Sequence, residues 1–382
     1  MFRYSVCAAL LASALQSPAI MASGLPATVD SPAEESDARF AQAQLQALAP
    51  AVTRDGDLDA GQAERFTALI ERVGWPASWM VGPELVQVAA QLLLKHPDYE
   101  FQRSTLDLAE DRIDLDVDAF ALARLSDLVK QKHDGGQRFG TLKAIVDDKV
   151  IASPEIKGMS GARFFRDFQG LPSVEEEVAA LQRRLDAGEA LHLDNGLLWL
   201  PKPAVVFGRP QLREKLGEMI ARDQGARSKL LKSSGAERDK VIKEIRSVDQ
   251  QNHAQLQRIF DEIGFPDVAA VGRAGVSTVF LLVQHADDDP ALQKRALVLA
   301  KPLVDSRQMA RQQYALLTDR VLRGEGKPQR YGTQTSLVGG KVQLQEAEDP
   351  SHLDERRAQM ALGPVSEYIE LLQERVSAAS GS

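Results

Sequence analysis

Apolar residues recur at helical spacing through most of the chain. Phe66, Leu69, Ile70 and Val73 mark one buried helical face. Gly74-Trp75-Pro76 ends that helix, because glycine suits a C-cap and proline cannot continue the turn. Leu256, Ile259, Phe260 and Ile263 repeat the pattern and end in Gly264-Phe265-Pro266. Residues 86–94 and 276–283 are apolar enough to be central helices. Residues 306–322 are periodic, with Gly324 as the expected C-cap. Short alternating runs at 144–152 and 336–345 predict two hairpins, turning at Asp147-Asp148 and Gly339-Gly340. Final helices are expected over 173–185 and 365–376.

The order of these elements is a repeat. Val81-Gly82 matches Val271-Gly272, His96-Pro97-Asp98 matches His285-Ala286-Asp287, and Phe101-Gln102 matches Leu292-Gln293. Leu125-Ser126-Asp127 matches Leu317-Thr318-Asp319, and Gln137-Arg138-Phe139-Gly140-Thr141 matches Gln329-Arg330-Tyr331-Gly332-Thr333. Ordered matches at an offset of about 190 residues signal a duplication. Residues 59–181 and 249–372 are expected to superpose helix for helix. The fold class expected is mainly α: two tandem related helical domains, each with a small β-hairpin.

The remaining segments complete the expected organisation. Arg3 precedes a short apolar run and then small residues, which predicts a signal peptide over 1–22; the run is too short to span a bilayer. The only cysteine, Cys7, lies inside it, so cysteine chemistry is not expected of the mature protein. Residues 23–45, rich in Pro, Ser, Ala and acids, are expected to be a disordered linker. The first, degenerate copy is placed at 46–187, a short β-type insert with the Asp194-Asn195-Gly196 turn at 188–210, and the second copy at 211–376. The net charge of −8 argues against a nucleic-acid partner. The most basic stretch, 227–246, is interleaved with acids and has the character of a solvated helical face.

Residues 211–376 resemble a bacterial domain family known only as a domain of unknown function. Its motifs stand here as Asp223-Gln224-Gly225-Ala226-Arg227, Gly264-Phe265-Pro266, Gln284-His285-Ala286-Asp287, Asp319-Arg320-Val321, Gln329 through Gln334, and Asp354-Glu355-Arg356-Arg357. The one departure is Phe265 where the family has Trp. The resemblance implies a helical domain and a candidate polar site, and no activity.

The polar residues admit two readings each. His285 is either a general acid or base oriented by Asp287 or Asp319, or a histidine capping a helix end. Arg320, with Arg356 or Arg357, either clamps an anion or makes salt bridges. Gln329, Tyr331, Thr333 and Gln334 either line a pocket or satisfy loop backbone groups. Gln284, Gln293, Asp223 and Arg227 complete the candidate ligand-binding set. Asp289-Pro290 is expected to start a helix. His285, Asp287 and Asp288 are too few for a metal site, and no cofactor is expected. Neither a phosphate loop nor a Gly-x-Ser-x-Gly elbow is present. Where the second copy has Arg320, Tyr331 and Gln334, the first has Leu128, Phe139 and Leu142. The pattern predicts an exported, soluble protein, periplasmic or secreted and without stable membrane insertion. Its second copy is expected to hold a small polar or anionic ligand or a protein partner. The alternative is a hydrolase using a His/Asp acid–base pair with an Arg anion clamp.

Overall fold

The computed structural model describes residues 32–191, 193, 196, 197, 199 and 205–380. The expected signal peptide lies outside the described residues, as do Asp194 and Asn195 of the expected insert turn. The described residues form two compact units. One comprises the described residues of 32–166 and 171–206; the other comprises those of 207–380 with Asp167–Gly170.

In the first copy α1 (Pro32–Val52) packs on α2 (Ala60–Val73), on a short α3 (Ser78–Val81) and on α4 (Pro83–Lys95). Then come α5 (Tyr99–Glu110), α6 (Ala119–Asp134), a hairpin of β1 (Lys143–Val146) and β2 (Lys149–Ala152), α7 (Met159–Phe168) and α8 (Val174–Asp186). The expected linker over 23–45 is corrected here, since it is helical from Pro32 onward. Its Ala38, Ala41 and Leu45 continue into Leu48 and Ala51 as one buried stripe. Composition suggested disorder, but small alanines at helical spacing bury as well as leucines do. The core behind this stripe includes Phe66, Leu69, Leu92, Leu93 and Leu125.

The second copy repeats this order. α9 (Pro210–Lys232) packs on α10 (Gly235–Ile263) and on α11 (Val268–Gln284); α12 (Pro290–Asp305) and α13 (Arg311–Gly324) follow. The second hairpin is β3 (Thr335–Val338) with β4 (Lys341–Leu344). A 3-10 turn (Pro350–His352), α14 (Leu353–Gln359) and α15 (Val365–Ser380) close the chain. The core includes Leu216, Met219, Leu256, Val279, Leu282 and Leu317. α10 has 29 residues where α2 has 14. Its N-terminal half and the end of α9 close on a small cluster of Ala226, Val241 and Ile245. The basic stretch 227–246 is ion-paired on its exposed side, as in Lys229 with Glu244 at 2.6 Å.

Local chemistry explains the repeated motifs. Gly74 and Gly264 are C-caps with φ of 69° and 73°. Gly272 (φ 75°, ψ 170°) breaks α11 where Gly82 (φ 82°, ψ 157°) separates α3 from α4. A side chain at either glycine would be strained, which accounts for the Val-Gly pair in both copies. The hairpins share one antiparallel register, Ile145 opposite Val150 and Leu337 opposite Val342. Their two-residue turns take positive φ at both positions, through Asp147-Asp148 in one and Gly339-Gly340 in the other. Each hairpin rests on the helix that ends its copy. Gln182 accepts from Val150 N at 2.8 Å, and Gln373 accepts from Val342 N at 2.9 Å.

Two local expectations are corrected. The helix predicted over 306–322 begins only at Arg311, because Ser306 caps α12. Gly324 is the last helical residue, and Glu325 takes the cap. Most of the expected β-type insert lies outside the described residues; within it Trp199 packs on Trp75 with ring centroids 5.3 Å apart. Among the described residues no helix is long and apolar enough to cross a membrane.

Candidate functional site

Asp319 is fully buried on α13, but it does not face His285. Its carboxylate accepts from the backbone N–H of Arg330 (2.7 Å), Tyr331 (2.9 Å) and Thr333 (2.9 Å) and from Thr333 Oγ1 (2.9 Å). Asp127 does the same for Arg138, Phe139 and Thr141 in the first copy. The carboxylate is therefore a loop anchor, because buried N–H groups need partners. This corrects its expected role as the partner of His285.

Most of the other candidate residues have the same kind of task. Gln329 donates to Gln334 O and Gln345 O and accepts from Gln334 N, as Gln137 does around Leu142 and Pro154. Gln334 donates its amide to Thr333 Oγ1. Arg357, 1% exposed, donates to the carbonyls of Tyr331, Gly332 and Gly363. Arg166 holds Phe139, Gly140 and Pro172 in the same way. Arg356 donates to the carbonyls of Arg330, Glu348 and Asp349. Gln293 donates to Val283 O, and Gln102 to Leu93 O. The phenol of Tyr331 acts electrostatically on Lys301 and Tyr314. The expected anion clamp of Arg320 with Arg356 or Arg357 is corrected as well, since both are committed to backbone carbonyls.

A different set gathers at the end of α11. Nδ1 of His285 lies 2.9 Å from an Asp223 carboxylate oxygen. Asp223, 1% exposed, also accepts from Gln224 Nε2 (2.9 Å) and Arg227 Nε (3.1 Å). The Asp-Gln-x-x-Arg spacing thus brings Gln224 and Arg227 to the Asp223 carboxylate, on which the histidine closes from α11. Arg227 reaches on to Asp249 of α10 at 2.6 Å. His253, one turn beyond Asp249, has Nδ1 3.5 Å from Asp288. Arg320 donates to Asp287 at 2.6 Å.

The electrostatics follow from burial. Burial holds the His285 pKa below 6.5, helped by the charges of Arg227 and Arg320 and opposed by Asp223. Burial alone would raise Asp223, but His285 and Arg227 outweigh it and hold the carboxyl below its ordinary value. Burial and the charge of Asp223 push Asp249 up to about 6, against Arg227. Nδ1–H therefore donates to an ionised Asp223, and the lone pair is on Nε2.

The first copy keeps the histidine without this surround. His96 Nδ1 accepts from Asp98 N at 3.1 Å, and its Nε2 meets Thr67 Oγ1 at 3.2 Å. At the same distance before the C-capping glycine as Thr67, the second copy has Gln257, whose amide donates to Asp289. Counting from the proline that opens each first helix, Leu45 and Ala49 stand where Asp223 and Arg227 do. Asp289, not Asp287, takes the N-cap role of Asp98. That leaves Asp287 to pair with Arg320. Several buried side-chain atoms of the second copy have no hydrogen-bond partner: Gln284 Nε2, Arg320 Nε, Asn252 Nδ2 and His253 Nε2. Among the described residues no group of three His, Cys, Asp or Glu is placed to hold a metal ion.

Sequence reasoning missed Asp249, Asn252 and His253. The available signal was their i, i+3, i+4 spacing on one face of a helix whose first-copy counterpart has Asp59 at its N-cap and Gln62 and Ala63 in its first turn. It also missed that Asp223 pairs with His285, a contact across 62 residues.

Fold and site together define a tandem helical protein, with a buried histidine–carboxylate cluster in its second copy. The chain belongs to a family of unknown function (DUF6624), whose model matches residues 40–187 and 210–379. No curated protein and no solved structure gives a significant match.

Proposed function

We propose that the second copy binds a small polar molecule beside His285, through an acceptor oxygen of the ligand. The observation that carries this reading is the pair of buried donors without partners, Gln284 Nε2 and Arg320 Nε. Gln284 adjoins His285 in sequence, and the charge of Arg320 acts on its imidazole. Buried donors are ordinarily satisfied, so these two exceptions support a site that a ligand completes. The charge balance favours an uncharged ligand over an anion. Arg320 is paired with Asp287, and Arg227 with Asp223 and Asp249, while Asp288 adds a further carboxylate. No cationic excess remains for a phosphate or carboxylate.

The test follows the His285 imidazole by NMR in the full chain while N-methylacetamide, methyl acetate, sodium acetate or inorganic phosphate is added. The neutral carbonyl compounds should perturb the Nε2 signal saturably, and Gln284→Leu should weaken that response. Saturable binding of phosphate alone, or no saturable response to a neutral carbonyl, would sink the reading.

We also infer export, on the strength of the Arg3-led apolar segment over 1–22 and the small residues after it. Protein recovered from the envelope fraction should begin between Ile20 and Leu25. An intact Met1 there would refute it.

A further inference from the structure

We propose that the end of α9 and the N-terminal half of α10 form a pH-sensitive latch, closed while Asp249 carries a proton and loosened when it ionises. The latch is independent of any ligand at His285. These two stretches make an arm with an apolar centre of its own, Ala226, Val241 and Ile245, flanked by partly buried Leu230 and Val248. It is separate from the main core of the copy, whose first α10 member is Leu256. So small a cluster opens more readily than the core does. Asp249 is buried on α10 between the two. The duplication shows what the arm does to this acid. Asp59 and Asp249 lie the same number of residues before their C-capping glycines. In the first copy the helix begins there, and Asp59 is its exposed N-cap, accepting from Gln62 N. In the second the helix has already started at Gly235, so Asp249 lies inside it and is covered.

The charge of Asp249 is then poorly matched. It shares the guanidinium of Arg227 with Asp223, at 2.6 Å and 3.1 Å respectively. Two buried carboxylates beside one fixed cation retain a proton more readily than one alone. Asp223 also has Nδ1 of His285 at 2.9 Å, so the proton goes to Asp249. Burial and the charge of Asp223 push that carboxyl up to about 6, against Arg227 and His253. The other groups around α10 do not cancel the excess. His253, one turn on, lies 3.5 Å from Asp288 in the loop before α12. Arg295 of α12 is paired with Asp261, about three turns away along α10. Lys229 on the arm is paired with Glu244. His285 of α11 is held below 6.5 by burial and adds no charge at neutral pH. Once Asp249 ionises, the closed arm holds two carboxylates on one arginine, and opening gives one of them to water.

Native-state hydrogen exchange of the full chain between pH 5 and 8 tests the latch, with intrinsic exchange rates divided out. A raised acid loses its stabilising contribution as pH rises through its folded value. The opening constant of amides 239–248 should therefore grow about ten-fold from pH 5 to 8, most of it below pH 7. Amides 276–283 of α11 should not follow. In Asp249→Asn the rise should vanish, because no charge appears at that position. The Asp249 carboxyl carbon, followed by NMR, should titrate near 6. Arm opening that does not change with pH, or a rise that survives Asp249→Asn, overturns the proposal. So does an Asp249 midpoint at the ordinary value, or α11 opening in step with the arm. The titration and the wild-type exchange need no variant, so they decide the matter even if Asp249→Asn does not fold.

Discussion

At the scale of single residues, Asp249 and Asp319 are buried carboxyls with different partners. Asp249 has a carboxyl at about 6, above its ordinary 3.8. A raised acid binds its proton more tightly when folded, so its contribution is fully present below 3.8 and is lost as pH rises through 6. The loss amounts to at most about 3 kcal/mol. Its size reflects an ionised carboxylate buried beside Asp223 and only partly offset by Arg227. His285 works in the opposite sense, because its lowered pKa adds stability as pH rises toward 6.5. Asp249→Asn should therefore gain on wild type in urea denaturation as pH goes from 4.5 to 7; a constant difference would contradict the assignment. Asp319 belongs to the scaffold. Asp319→Ala strands three backbone N–H groups and should cost about 3 kcal/mol or more. Asp127→Ala should cost a similar amount, since its partners are the same. A mild effect at Asp319 with a severe one at Asp127 would mean that the two anchors are not equivalent.

Among the elements, the hairpins show how one fold admits different turn chemistry. Asp147 and Asp148 sit at φ of 49° and 58°, where Gly339 and Gly340 sit at 58° and 79°. Aspartate tolerates the left-handed region at a cost that glycine avoids. Asp148→Gly should stabilise the first hairpin by about 0.5–1 kcal/mol, read as a rise in denaturation midpoint. Gly340→Val should destabilise the second, because a β-branched residue cannot take that φ without strain. The lengthened α10 is the other departure between copies. It carries Asp249, Asn252 and His253 on a helix whose counterpart starts only at Ala60.

For the whole molecule, each copy encloses its own apolar cluster. Leu92 belongs to one and Leu282 to the other, and each is almost fully buried. Either residue changed to Ala should cost about 2–5 kcal/mol. Hydrogen exchange should then quicken first in the copy that carries the change. Equal loosening of both copies by either substitution would show that they unfold as one unit.

Local patterning determined most of the helices and both hairpins, because those follow from short-range rules, and the order of motifs along the chain determined the duplication and the family. Apolar spacing sets a buried face, glycine sets positive φ, and Asp289-Pro290 opens a helix. Arg320 was legible as a candidate because the first copy has Leu128 in its place, and His285, Asp223 and Arg227 were legible because they stand in the motifs of the family resemblance. Their partners were not. His285 stands near Asp287 in sequence, yet pairs with Asp223 of α9. Asp319 looked like a catalytic acid, yet secures a loop. Composition misjudged residues 32–45 for a similar reason, because only a neighbouring helix shows that alanines are buried. Which polar group meets which depends on how helices distant in sequence pack, and on which backbone donors that packing leaves without water. Those are properties of the tertiary structure, and it alone decided them.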